Sequence, residues 1–127
     1  MAWQYYNPNP IIQRPNTGDC VIRAIAKTFN YSWERAYAEL TVQGFQMGDW
    51  GNANEVWDTY LRRNGFNRQV IPNTCPSCYT VWDFCNDNPT GKYILATGSH
   101  VVSVINGDYY DSWDSGKEVP IFFYERR

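Results

Sequence analysis

What the sequence lacks limits where the protein works and what it binds. No apolar run approaches the roughly 20 residues that span a bilayer, and residues 1–8 lack the basic and apolar regions of a signal peptide. Basic residues are not clustered beyond the pairs Arg62-Arg63 and Arg126-Arg127, and the net charge is -2. Nucleic-acid binding requires a basic face that follows the phosphates. We therefore predict a cytoplasmic protein with neither a membrane nor a nucleic acid as its partner.

Histidine is scarce, and the cysteines do not form the pattern of a disulfide framework. His100 is the one histidine, so any imidazole chemistry must use it. Of the four cysteines, Cys20 stands alone, whereas Cys75, Cys78 and Cys85 form a Cys-x2-Cys-x6-Cys array. The spacing fits a zinc knuckle or a redox pair, but structural zinc takes four ligands and a redox motif accompanies a βαβ unit. We expect a turn and a buried thiol there instead, and we expect no metal and no cofactor.

What is present predicts one compact domain of the α+β class. The 127 residues are 43% hydrophobic and 17% aromatic, which is enough for one core but not for two. An extended lead-in covers residues 1–18. Helical periodicity predicts helices at 19–29, from Ser32 to Gly44, from Asn52 or Asn54 to Gly65, and at 80–86. Aromatic and β-branched runs predict strands at 67–71, 93–97, 101–105, 108–113 and 119–124. We therefore expect N-terminal helices followed by an antiparallel sheet.

A hairpin in the last third sets a register that gives His100 an acidic neighbour. Asn106-Gly107 predicts a two-residue type I′ turn, because both residues accept a positive φ. This register places His100 opposite Trp113, with Asp111 on the same face and diagonal to His100. Diagonal neighbours are about 7–8 Å apart at the backbone, within reach of an imidazole and a carboxylate. Asp114 falls on the opposite face, so Asp111 is the predicted partner of the histidine.

Cys20 is the candidate nucleophile. It lies in the first turn of the first predicted helix, where the helix dipole lowers the pKa of a thiol. Ordinary alternatives exist for each residue: Cys20 as a packed core thiol, His100 as a satisfied surface residue, and Asp111 as a solvated carboxylate. A nucleophile, a base and an orienting acid together indicate nucleophilic catalysis.

The order of these residues resembles that of the papain-like cysteine peptidases. In that family a cysteine begins the first long helix, a histidine begins a late strand, and a polar residue follows on the next strand. The segment from Tyr110 to Asp114 (Tyr-Asp-Ser-Trp-Asp) is similar to the family's Asn-Ser-Trp-Gly stretch, with Asp in place of Asn. The resemblance implies that Asp111 orients His100 and that Trp113 shields the contact from water.

The resemblance leaves the oxyanion hole open. Papain-like enzymes carry a glutamine six residues before the nucleophile, but that position is Arg14 here. Gln13 and Asn16 are the nearby amides and are the two candidates. The family's Cys-Gly-Ser-Cys-Trp motif is also absent, because Val21, Ile22 and Arg23 follow Cys20.

The whole chain also resembles short proteins of bacteriophages and gut Firmicutes. This likeness rests on residues 18–21, 44–49 and 107–116. It implies a host-cytoplasm location if the protein is phage-encoded, but it implies no activity.

Three classes of function remain open from the sequence. The first is a thiol hydrolase, a cysteine peptidase or isopeptidase that cleaves a protein or peptide through a thioester. The second is another acyl chemistry on the same Cys20, His100 and Asp111. The third is a non-enzymatic binding protein that captures a host protein or a small signalling ligand. Specificity depends on loops, so the sequence does not separate the first two classes, and it does not indicate an oligomeric state.

Overall fold

The computed structural model describes residues 2–13 and 18–126, and this part contains four helices and six strands. The predicted α+β class is confirmed. In chain order the elements are β1 (Trp3–Tyr5), α1 (Cys20–Phe29), α2 (Trp33–Met47), α3 (Asn54–Arg63), β2 (Phe66–Val70), α4 (Val81–Asp87), β3 (Lys92–Ala96), β4 (Val101–Ile105), β5 (Asp108–Asp111) and β6 (Phe122–Arg126). None of the helices in these residues is long and apolar enough to cross a bilayer.

The six strands form one mixed sheet in the order β1-β5-β4-β3-β6-β2. All neighbouring strands are antiparallel except β1 and β5, which are parallel. The prediction of helices followed by a purely antiparallel sheet was therefore too simple, since β1 precedes α1 and is parallel to its neighbour. All three residues of β1 are exposed, and backbone bonds such as Tyr6 N–H to the Asp111 carbonyl (2.8 Å) hold the segment. Because β1 is exposed and is held by backbone hydrogen bonds, its sequence has no alternating apolar pattern from which a strand could be predicted.

The core lies on both faces of the sheet, as the alternation of side chains along a strand requires. In β3, Ile94 packs with the buried faces of α1, α2 and α3, whereas the next residue, Leu95, packs with α4. Helix α1 is buried along almost its whole length and packs on β4 and β5. It ends at Phe29, and the following Asn30 adopts a left-handed conformation (φ 58°) that terminates the helix. This packing brings the start of α1 to the start of β4.

Helix α2 continues past the predicted end at Gly44 and stops before Gly48, which has φ 73°. Gly44 is required for a different reason. A Cβ at Gly44 would lie 2.6 Å from the carbonyl oxygen of Asp49, so the following turn packs directly on this position. The glycine therefore marks a close backbone approach within the helix and not its end.

The predicted hairpin and the small helix α4 are confirmed. Asn106 (φ 51°) and Gly107 (φ 80°) both have positive φ, and Ile105 pairs with Asp108 as the two-residue turn requires. Thr80 caps α4, in a capping box whose other member is Asp83.

The cysteine array differs from the prediction. Cys75 and Cys78 form a disulfide, so neither is the free thiol of a turn nor a zinc ligand. Cys85 is the expected buried thiol on α4, and burial raises its pKa to about 12. Sequence reasoning set the disulfide aside because it treated the four cysteines as one set. Cys75 and Cys78 should be considered as a separate pair, because they are three residues apart in one loop and can form a disulfide with each other.

Candidate active site

Helix α1 begins with Cys20, and its half-buried thiol meets the start of β4. The thiol lies beside the side chain of His100 and the backbone N–H of Val101, and both interactions lower its pKa. His100 immediately precedes β4, so the packing of α1 on this strand sets the contact between the two side chains. The structure thus brings together the two residues that the sequence singled out as nucleophile and base.

Asp111 is the third member of this group, and it contacts His100 as the hairpin register predicted. Its Oδ2 lies 2.5 Å from Nε2 of His100, and the carboxylate is 1% exposed. Because Nε2 contacts Asp111, the other ring nitrogen, Nδ1, is left for Cys20. The ring of Trp113 covers the imidazole, with ring centroids 4.9 Å apart. Asp114 points elsewhere, and its Oδ1 accepts a hydrogen bond from the hydroxyl of Tyr109.

The Asp111 carboxylate accepts hydrogen bonds on both oxygens. Oδ2 accepts from the hydroxyl of Ser115 (2.6 Å) in addition to its contact with His100. Oδ1 accepts from the backbone N–H of Ser112 (2.9 Å) and from the guanidinium of Arg23 (3.1 Å). This buried carboxylate is thereby fixed in position and can hold the imidazole in one orientation.

Arg23 is the site residue that sequence reasoning missed. It is 4% exposed, and its guanidinium joins Asp111 to the carboxylate of Asp19 one turn earlier in the chain. Asp19 also accepts a hydrogen bond from the indole of Trp33 (2.9 Å). The sequence did carry a signal for this residue, because Arg23 lies in the middle of the apolar stripe of α1. An arginine at such a position is buried only when it is paired with an acidic group.

Electrostatics favour a charged pair at Cys20 and His100. Burial of Cys20 raises the pKa of its thiol, but the hydrogen bond and charge of His100, the Val101 N–H and the charge of Arg23 outweigh burial, so this pKa lies below its ordinary value. Burial lowers the pKa of His100, but its hydrogen bonds with Asp111 and Cys20, and their charges, raise it to about 9. Between these two pKa values the sulfur is a thiolate and the ring an imidazolium.

The pair lies in a cleft of about 580 Å³, whose walls include Gly18, Ser99 and Glu118. The structure does not support Gln13 as the oxyanion-hole amide, and it does not describe Asn16. Gln13 is not among the described residues that line the cleft, and its side-chain amide donates to the backbone carbonyl of Asn9. Asn16 lies outside the residues that the structure describes.

No metal centre accompanies the cleft in the described ranges 2–13 and 18–126, where no three His, Cys, Asp or Glu side chains are grouped to hold an ion. The chain matches no family model, and no curated protein or solved structure matches it.

Proposed function

We propose that the protein is a thiol hydrolase, a cysteine peptidase or isopeptidase that cleaves a protein or peptide with Cys20, His100 and Asp111. The observation that carries this proposal is the series of side-chain interactions that runs from Cys20 through His100 to the buried Asp111 in an open cleft. A thiolate beside an imidazolium is a nucleophile and a general acid in one pair.

Acylation uses both partners of the pair. The thiolate of Cys20 attacks the carbonyl carbon of the substrate, which forms the C–S bond and moves an electron pair onto the carbonyl oxygen. The backbone N–H of Cys20, in the first turn of α1, is a donor for this oxyanion and lies at the positive end of the helix. As the carbonyl re-forms, the C–N bond breaks, and the imidazolium of His100 gives its proton to the leaving amine.

Deacylation returns the enzyme to its starting state. Neutral His100 takes a proton from water, and the hydroxide attacks the thioester carbonyl. The C–S bond then breaks, releasing the carboxylic acid and the Cys20 thiolate, while His100 keeps the proton it gained. Asp111 holds the ring in one orientation through both steps, since its Oδ2 contacts Nε2 and leaves Nδ1 toward the sulfur.

The papain-like assignment is part of the proposal. Its support is the chain order of Cys20 on the first helix, His100 before a late strand and Asp111 on the next, with Trp113 over the imidazole. The main difference is an acidic orienting residue in place of the amide. Arg23 compensates for that charge, because it pairs with Asp111 inside the protein.

The test is the pH dependence of Cys20 alkylation by iodoacetamide, followed by intact mass and peptide mapping. We expect the rate to reach its plateau well below pH 8.5, the pKa of a free thiol. His100→Ala removes the hydrogen bond and the charge that lower the pKa of Cys20, so it should move the profile toward that value. A thiol with this pKa is only about 3% ionised at pH 7, so labelling there should slow by up to about 30-fold.

Two cysteine types serve as internal controls. Buried Cys85, whose pKa is about 12, should not be labelled in the folded protein, and the disulfide-bonded Cys75 and Cys78 should not react without a reductant. The hydrolase proposal would be contradicted if Cys20 stays unreactive in the folded protein and its labelling rate does not change in His100→Ala. The protein would then be better described as a binding protein with a packed thiol.

A further inference from the structure

An apolar groove of about 600 Å³ lies beside the cleft, between residues 9–12, helices α1 and α2, and the turn at residues 49–52. Its walls include Ile11, Ile12, Tyr37, Phe45 and Trp50. All five of these side chains are exposed, up to 81% for Trp50 and 85% for Ile11. They are five of the twelve large apolar side chains exposed in the described part of the chain, so exposed apolar surface is concentrated in one place. A concentrated patch of this kind marks a binding site more often than scattered residues do.

The groove adjoins the cleft at Gly18. This residue borders both, and a Cβ built on it would have no described atom within 4 Å. Val21, which directly follows Cys20, also lines the groove. An extended peptide advances about 3.3–3.6 Å per residue, so a side chain within two residues of a scissile carbonyl at Cys20 reaches the groove.

The chemistry of the walls defines the occupant. No lysine, arginine or histidine is among the described residues that line the groove, so these residues offer an acidic side chain no charged partner. The carboxylates present are Asp19, which is paired with Arg23, and Asp49, which accepts a hydrogen bond from the Trp50 N–H (2.7 Å). The remaining surface is mostly aliphatic and aromatic, and its volume is in the range of sites that enclose small ligands.

We propose that this groove is the specificity site of the hydrolase and binds a large uncharged apolar side chain within two residues of the scissile bond. The inference rests on the proposed function, because it assigns the groove to the substrate that Cys20 attacks. Phe45 and Trp50 would then pack against that side chain at the rim.

The test uses short peptides in which an electrophilic alkene replaces the scissile amide, with residues on both sides of it. Each flanking position carries Gly, Leu, Phe or Glu in turn, and the second-order rate of Cys20 labelling is measured by intact mass. At one position, Leu or Phe should react about 10-fold faster than Gly or Glu, as a hydrophobic pocket selects among side chains. Trp50→Ala should remove most of this preference, whereas Trp82→Ala, an exposed tryptophan on α4 outside the groove, should retain it.

Iodoacetamide separates the two proposals, because it needs the thiolate but not the groove. If iodoacetamide does not label Cys20 in the folded protein, the hydrolase itself is excluded. If it labels Cys20 normally but the peptides show no apolar preference, or Trp50→Ala and Trp82→Ala behave alike, the groove is not the specificity site. Should Trp50→Ala fail to fold, Phe45→Ala provides the same comparison, because its side chain is 76% exposed.

Discussion

Arg23 makes this site electrostatically different from one with a neutral amide behind the histidine. Its guanidinium lies between Asp19 and Asp111, and its charge also lowers the pKa of Cys20. Removing one partner from a buried ion pair leaves the other charges uncompensated, which costs about 3–5 kcal/mol. We therefore expect Arg23 to contribute both to stability and to the pH range in which the thiolate exists.

The pH profile of Arg23→Gln tests this role. Loss of a nearby positive charge favours protonation of both the sulfur and the imidazole, so the rise of the Cys20 alkylation rate with pH should begin at a higher pH. Arg23→Lys keeps the charge, so its pH profile should stay closer to that of the parent protein. This variant also provides a comparison if Arg23→Gln does not fold. Lys27→Gln removes a cation one turn further along α1 and is the matched control. A profile equally unchanged in Arg23→Gln and Lys27→Gln would leave Arg23 with a purely structural role.

Asp111 and Asp114 form a second residue-level comparison. Asp111→Ala removes the contact that raises the pKa of His100 and orients its ring, so Cys20 labelling at pH 7 should fall about 10-fold, the worth of one charge-assisted hydrogen bond. Asp114→Ala removes the acceptor of the Tyr109 hydroxyl and of the Gly116 N–H, neither of which contacts His100, and should change the rate little. The measurement is the labelling rate of both variants beside the parent protein. An equal loss in the two would mean that Asp111 does not act through His100.

The residues that could be predicted are those set by local geometry. A two-residue turn fixes the pairing of its strands, so the shared face of His100 and Asp111 followed from Asn106-Gly107 alone. Arg23 could not be placed in the same way, because its partner Asp111 is 88 residues away and no periodic pattern links them. Ser115, whose hydroxyl bonds to Asp111, is only four residues away, but it follows the end of β5, where no strand alternation sets the direction of its side chain.

At the scale of elements, Gly44 illustrates why a glycine in a helical pattern is ambiguous. Glycine commonly follows the last turn of a helix, so the sequence favoured an end at Gly44. The helix instead continues to Met47, because residues 49–51 fold back onto the position where a side chain would project. Only the tertiary contact distinguishes the two cases.

Gly44→Ala should therefore destabilise the protein, although alanine is normally the better helix former. The added Cβ would meet backbone atoms, including Asp49 O at 2.6 Å, and overpacking of this kind costs about 1–3 kcal/mol. Gly98→Ala is the control, since no atom lies within 4 Å of its Cβ position. Denaturant unfolding followed by tryptophan fluorescence measures both free energies. Equal stability of the two variants would show that the turn can move away at no cost.

At the scale of the molecule, the class was predictable but the topology was not. Helix and strand periodicities are local, and they located four helices and five of the six strands. The strand order β3-β6-β2 and the parallel β1 depend on pairings between distant segments. Those pairings are decided by which faces must be buried together, as with Tyr124 of β6, which packs beside Ile94 of β3 in the core.

The long-range network around Arg23 has a consequence for the timing of protein synthesis. Arg23 and its partner Asp111 are 88 residues apart, so ribosomes that add about 5–20 residues per second make them roughly 4–18 s apart. Until residues 100–115 have left the ribosome and paired with α1, Cys20 has neither His100 nor the anchored carboxylate beside it. The nascent chain thus carries only an ordinary thiol, and a reactive one appears when the sheet closes on the helix.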